Sequence, residues 1–97
     1  MSGGYTIVEE GRKWSESEPA GPADRYVRWT HQISSTTTLA VSGTVGGTRL
    51  DWRWWKSKGL ASGKGRVKDV KVSRDNPHAN LRAAYMAALP SLRLFES

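Results

Sequence analysis

The stretch LAVSGTVGGTRLDWRWWK, Leu39 to Lys56, decides the fold. Apolar and polar residues alternate on both sides of Gly46-Gly47. Two glycines between alternating runs suit a two-residue primed turn, which demands positive φ at both central positions. That turn sets Val45 opposite Thr48, Gly43 opposite Leu50, Val41 opposite Trp52 and Leu39 opposite Trp54, all on one apolar face. The other face then pairs Thr44 with Arg49, Ser42 with Asp51, Ala40 with Arg53 and Thr38 with Trp55. A slip of one residue would mix the two faces, so the alternation itself specifies the register.

Working outward, Tyr26 to Ile33 alternates in the same way, with Val27, Trp29 and Ile33 on one side and Tyr26, Arg28, Thr30 and Gln32 on the other. The short link Ser34-Ser35-Thr36 lets it run antiparallel to the hairpin, setting Trp29 near Val41 and Trp52 as an aromatic centre for the core. Tyr5 to Glu10, extending toward Trp14, reads as a first strand with Ile7 or Val8 inward. Prolines, a glycine and glutamates make 15–23 an exposed loop, and Lys56 to Gly65 reads as a second loop, flexible and basic. Arg66 to Ser73 reads as a further strand with weakened alternation, as at a bulge or a sheet edge.

After Ser73 the period changes. Asp75 or Asn76 is placed to cap a helix with Pro77 in its first turn, and Leu81, Ala84, Tyr85, Ala88 and Leu89 form an apolar stripe that Pro90 is expected to end. Leu92, Leu94 and Phe95 are left to pin the tail to the core. The expected fold is α+β: a single domain over residues 1–97, a four- or five-stranded antiparallel sheet followed by one C-terminal helix on its apolar face. A single short helix leaves part of so wide a sheet uncovered, which argues for a homodimer.

The chain has 97 residues, no cysteine, five tryptophans and a net charge of +6. That length holds one core and excludes multi-domain enzymes. The absence of cysteine excludes disulfide scaffolds and thiolate metal sites, and two histidines, His31 and His78, offer little to any other metal, so no cofactor and no metal are expected. Nothing at Met1 to Tyr5 reads as a leader, and the longest apolar run, Ala83 to Leu89, is too short for a span. A soluble protein without a membrane partner is expected, cytoplasmic or associated with nucleoid or nucleus, and not secreted.

The charge is concentrated. Arg49, Arg53, Lys56, Lys58, Lys64, Arg66, Lys68, Lys71 and Arg74 face only Asp51 and Asp69 across residues 49–74, a local balance of +7. A scattered excess would be a solvated face, whereas cations gathered this densely repel one another unless a polyanion neutralises them. Gly63-Lys64 invites comparison with a nucleotide-binding phosphate loop. The spacing is one residue short, Gly65 stands where a hydroxyl is needed, and a strand follows in place of a helix. His31 falls on the inward side of its strand beside Trp29 and Ile33, where a packed or hydrogen-bonded imidazole is the ordinary outcome, and His78 falls in the first helical turn. No carboxylate pair has a spacing suited to acid and base roles.

Trp29, Trp52 and Trp54 share the inward parity and read as core. Trp55 takes the opposite parity, with Arg53, Arg28 and Tyr26, and an indole among guanidinium groups suits either base stacking or a packed contact. Trp14, beside Arg12 and Lys13, either extends that platform or closes the core edge. The function expected is therefore binding of nucleic acid, single-stranded DNA or RNA, without catalysis. The expected site comprises Tyr26, Arg28, Arg49, Arg53 and Trp55 on a sheet platform, with Lys56, Lys58, Lys64, Arg66 and Lys68 in a flexible arm. Arg12, Lys71 and Arg74 are peripheral members. Two other readings stand beside it: a phage- or plasmid-type accessory module that binds an acidic protein, and a metal-independent ribonuclease using Tyr26, Arg28 and His78. The inferred order of elements resembles that of single-strand-binding transcription cofactors that dimerise through a sheet-then-helix unit. It also resembles the three-strand-plus-helix DNA readers of plant ethylene-response factors and integrase arm domains. Both are likenesses of topology alone.

Overall fold

The computed structural model describes residues 6–17, 25–59 and 61–96, with residues 95 and 96 by backbone only. Tyr5, most of the expected 15–23 loop and the side chain of Phe95 lie outside the described residues. Among the described residues six strands, β1 (Thr6–Glu9), β2 (Arg12–Glu16), β3 (Tyr26–Gln32), β4 (Thr37–Thr44), β5 (Arg49–Lys56) and β6 (Ser62–Lys68), precede one helix, α1 (His78–Glu96). The strands form one antiparallel sheet in chain order. The α+β class and the sheet-then-helix order are as the sequence implies, with more strands than expected.

The extra strand comes from a tight turn. Glu10 and Gly11 both adopt positive φ, 52° and 79°, the requirement of a type I′ hairpin. The expected first strand is therefore a hairpin, with Ile7 opposite Trp14 and Glu9 opposite Arg12. Ile7 is the inward residue and Val8 is exposed.

The central hairpin keeps its expected register from Thr38↔Trp55 through Leu39↔Trp54, Ala40↔Arg53, Val41↔Trp52 and Ser42↔Asp51 to Gly43↔Leu50. Its turn differs. Of the two glycines only Gly46 has positive φ, 83°, and Gly47 N–H donates to the Thr44 carbonyl at 2.8 Å. The turn is thus Thr44-Val45-Gly46-Gly47, with glycine at the third position as a type II turn requires. Val45 N–H donates to the Arg25 carbonyl, while Gly46 and Gly47 exchange bonds with Val72. The expected pairs Val45–Thr48 and Thr44–Arg49 therefore lie beyond the ladder, because their backbone groups serve neighbouring segments.

Residues 56–65, expected as a flexible loop, are mostly ordered structure: β5 runs to Lys56, a 3₁₀ turn spans Ser57–Gly59 and β6 begins at Ser62. β6 also ends earlier than expected, at Lys68. Asp69 takes φ 61°, which breaks the alternation and explains why Val70 and Val72 share a parity that Val67 does not. Residues 70–72 then close over the end of the central hairpin, with Val70 and Val72 N–H groups donating to the Thr48 and Gly47 carbonyls.

Helix α1 begins where the Pro77 carbonyl accepts from Leu81 N–H, so Pro77 holds the position expected for Asp75 or Asn76. Buried Asn80 accepts from Ser73 N–H and donates to the Lys71 carbonyl, tying the first turn to the preceding segment. Pro90 does not end the helix, which runs on to Glu96. Leu92 on the continuing turn is buried, and Ser91 Oγ accepts the Trp54 indole N–H at 2.9 Å, so sheet contacts carry the helix past the missing N–H. Among the described residues no helix is long and apolar enough to cross a membrane.

The inner face joins Ile7, Trp14, Val27, Trp29, Leu39, Val41, Leu50, Trp52 and Trp54 to Val72, Leu81, Ala84, Ala88 and Leu92. Trp14, Trp29 and Trp54 have no exposed surface. At about 25 cal/mol per Å² and roughly 200 Å² per indole, each contributes on the order of 5 kcal/mol as an upper bound. The helix packs on β5, β6 and also β1, so the sheet curls around it and both end strands reach it. Among the described residues the inner face is buried within one chain, so it leaves no uncovered apolar sheet surface that calls for a partner copy.

Candidate nucleic-acid interface

Alternation that turns the tryptophans inward turns the other parity outward, and the register fixes who meets whom. One row across four strands is Arg28, Ser42, Asp51, Arg66, and the next is Thr30, Ala40, Arg53, Lys64. Arg49 sits opposite Lys68 and Trp55 opposite Ser62. Tyr26, Arg28, Arg49, Arg53, Trp55, Lys64, Arg66 and Lys68 thus share the outer face. Lys64, Arg66 and Lys68 are exposed at every second position of β6, an edge strand, which spaces them about 6.6–6.8 Å apart.

Between β3 and β6 the tall side chains surround an open depression of about 1060 Å³. Its floor is made of small residues, Ala40, Ser42, Gly43 and Gly65, and its rim includes Tyr26, Arg28, Arg53, Lys64 and Arg66. The floor residues were not singled out by the sequence, although the hairpin register contains Ala40, Ser42 and Gly43: small residues on β4 lie between long ones on β3 and β5.

On strands β3 to β6 the outer face holds six cations and one carboxylate among the described residues. Asp51 Oδ1 accepts from Arg66 Nε at 3.0 Å, whereas Arg28, Arg49, Arg53, Lys64 and Lys68 form no ion pair among the described residues. Cations elsewhere are differently placed. Arg74 binds buried Glu16, Arg82 binds Glu9 and Glu10, and Arg12 binds Glu10 while its guanidinium lies 3.9 Å from the Tyr85 ring centroid. Arg12 and Arg74 therefore do not join the site, and Lys71 is exposed beyond β6.

Three expectations need correction. Lys56 has inward parity, and its Nζ donates to buried Thr37 Oγ1 at 3.0 Å, so it does not belong to the outer face. The basic arm is not a flexible loop: Lys64, Arg66 and Lys68 stand on a strand, and only Lys58 lies in the exposed turn, at φ 69°. Tyr26 and Trp55 also fail to come together. Trp55 lies in the row of Gln32, six residues along β3 from Tyr26, roughly 20 Å away along the strand. Trp55 is half-buried with the Arg53 guanidinium 5.0 Å from its ring centroid, and Tyr26 is the exposed aromatic among the residues that line the depression.

Gly63 and Gly65 serve packing. They lie opposite Trp54 and Trp52 on the inner face, and the indoles cross over them, so the resemblance to a phosphate loop has no counterpart in the fold. Trp14 closes the core. His31 sits against Trp14, ring centroids 5.1 Å apart, with Nδ1–H donating to the Lys13 carbonyl at 2.7 Å. Burial, assisted by nearby Arg12, holds its pKa below the usual imidazole value. His78 Nδ1 is 2.8 Å from buried Glu9, on the helix side of the sheet, so Tyr26, Arg28 and His78 do not form one constellation. The Glu9–His78–Arg82 cluster joins residues about seventy positions apart and left no local sequence signal. Among the described residues no three acidic or histidine side chains gather as a metal site.

Comparison of the chain with protein-family models, with curated proteins and with solved structures finds no match.

Proposed function

We propose that the protein binds single-stranded nucleic acid across the outer face of its sheet. The observation that carries this reading is the set of five cations on one sheet face without an ion-pair partner among the described residues, of which Arg28, Arg53 and Lys64 line one depression together with Arg66. Closely set like charges cost free energy that a polyanion recovers through release of its condensed counterions. In this reading Lys64, Arg66 and Lys68 follow the backbone along β6, Arg28, Arg49 and Arg53 hold it from the other strands, and bases enter over Ala40 and Ser42 beside Tyr26. Recess favours a single strand over a duplex. A sheet that reads the major groove must project into a cleft about 12 Å wide, whereas this floor lies below its rim and suits bases that can turn toward it.

The test is binding of labelled single-stranded and duplex oligonucleotides across a salt series. Single strands are expected to bind more tightly, with affinity falling steeply as salt rises. Absence of binding at low salt, or affinity insensitive to salt, rejects the proposal. Capture of an acidic protein that survives nuclease treatment, with only weak oligonucleotide binding, assigns the face to a protein partner instead.

A further inference from the structure

In a cradle of cations Asp51 is out of place if the face only attracts phosphate. It stands in the cross-strand row Arg28–Ser42–Asp51–Arg66, and all four residues line the same depression. Its contact with Arg66 is single: Arg66 Nε donates to Oδ1 at 3.0 Å, both side chains are about half exposed, and Asp51 Oδ2 accepts no hydrogen bond among the described residues. The terminal guanidinium nitrogens of Arg66 are likewise uncommitted among the described residues. An acceptor edge and a donor edge therefore lie side by side, open to the depression and held by neighbouring rigid strands.

We infer that Asp51 and Arg66 together read the Watson–Crick edge of a guanine; this rests on the binding of a single strand proposed above. Guanine presents N1–H and N2–H donors next to each other, flanked by the O6 acceptor. The carboxylate accepts from the two donors and the guanidinium donates to O6. The other bases are mismatched. Adenine and cytosine set a ring-nitrogen acceptor beside their amino group, and thymine or uracil flanks its one N–H with two carbonyls, so each turns lone pairs toward the carboxylate. A duplex hides this edge in base pairing, which is consistent with a single-stranded ligand. Because an exposed ion pair contributes little to stability, Arg66 can shift toward the base at small cost.

The experiment compares short labelled oligothymidylates carrying one central guanine, hypoxanthine, adenine or cytosine, with the RNA counterparts in oligouridylate, at one salt concentration. The guanine strand is expected to bind about tenfold more tightly than the unsubstituted strand, and hypoxanthine, which lacks the N2 amine, to lose most of that gain. Asp51→Asn is expected to abolish the guanine preference while affinity for plain oligothymidylate stays level or rises, since a repelling charge is gone. Equal binding of all strands by the native protein, or a guanine preference that survives Asp51→Asn, overturns the inference and leaves single-strand binding intact. Absence of binding to every strand at low salt overturns both. Circular dichroism of the variant separates loss of readout from loss of fold.

Discussion

The indole of Trp52 lies so close over Gly65 on the neighbouring strand that a Cβ built on that glycine would stand 2.3 Å from ring carbon Cζ2. The same relation holds one repeat along, where a Cβ on Gly63 would meet Trp54 Nε1 at 2.4 Å and Ser91 Oγ at 2.6 Å. Bare backbone at alternate positions of β6 makes room for two large rings, while the intervening Lys64 and Arg66 face the other way. One short run, Gly-Lys-Gly-Arg, thus serves the core with its glycines and the outer face with its cations.

Gly65→Ala is accordingly expected to destabilise the fold by about 1–3 kcal/mol, the usual range for overpacking a core, and Gly63→Ala by a similar amount. Neither Trp52 nor Trp54 is at the end of a flexible chain, so the clash is relieved only by moving a ring or a strand. Urea unfolding followed by tryptophan fluorescence measures the loss. A change below a few tenths of a kcal/mol would show that β6 is free to move away from the rings.

The same glycines mark where the sequence stops being legible. Alternation of Leu39 to Gly43 against Leu50 to Trp55 is a local, strictly periodic signal, and it specified the register and the inward and outward faces of the central hairpin. Gly63 and Gly65 carry no periodic side chain, and their reason for being glycine lies on β5, so a lysine- and glycine-rich strand looked like a loop. Glu10-Gly11 hid a hairpin because Glu10 seldom takes positive φ. At the candidate site the alternation placed Tyr26, Arg28, Arg49, Arg53 and Trp55 on one face. It did not give the distance between Tyr26 and Trp55, which depends on how the register lays out strands β3 to β5, nor the inward turn of Lys56 at the end of its strand.

Pro90 offers a test of how tertiary contacts override local propensity. Its ring removes an amide donor from the interior of α1, yet the following turn remains helical with Leu92 buried. Pro90 itself is exposed, so Pro90→Ala restores the donor without disturbing packing. The variant is expected to gain about 1–3 kcal/mol, up to the full cost of proline within a helix, read as a rise in Tm. An unchanged or lower Tm would mean that the fold requires the local geometry proline imposes.

Acid should unfold the protein in two stages that separate variants resolve. Burial lowers the pKa of His31, so below about pH 6.5 the unfolded chain takes up a proton that the folded imidazole resists. Stability is then lost as pH falls toward the folded-state value. The Glu9 carboxyl is also held below its usual value, chiefly by the hydrogen bond from Arg82 and, against the opposing effect of desolvation, by the charges of Arg82 and His78. A depressed carboxyl contributes stability above its unfolded pKa, and that contribution disappears as pH falls through the folded one. Thermal unfolding from pH 8 to pH 3 is expected to show the first decline missing in His31→Phe. In Glu9→Gln the acid limb should be shallower and the neutral-pH Tm lower. Curves parallel to the native one in both variants would mean that neither group is linked to folding.

Lys56 and Lys64 give the sharpest separation of charge from position, because both belong to the same basic segment and differ in the face they serve. Lys56 donates to buried Thr37, so Lys56→Ala removes a partner from a buried hydroxyl and is expected to cost about 1 kcal/mol of stability with little change in oligonucleotide affinity. Lys64 is exposed on the rim of the depression. Lys64→Ala is expected to leave stability within about 0.5 kcal/mol while weakening oligonucleotide binding and lowering the slope of log affinity against log salt by about 1. Paired urea titrations and anisotropy titrations at several salt concentrations read both quantities on the same preparations. If the two variants lose affinity equally, attraction depends on net charge alone and the outer face has no privileged role; a loss confined to Lys64→Ala ties binding to the face on which the register puts it.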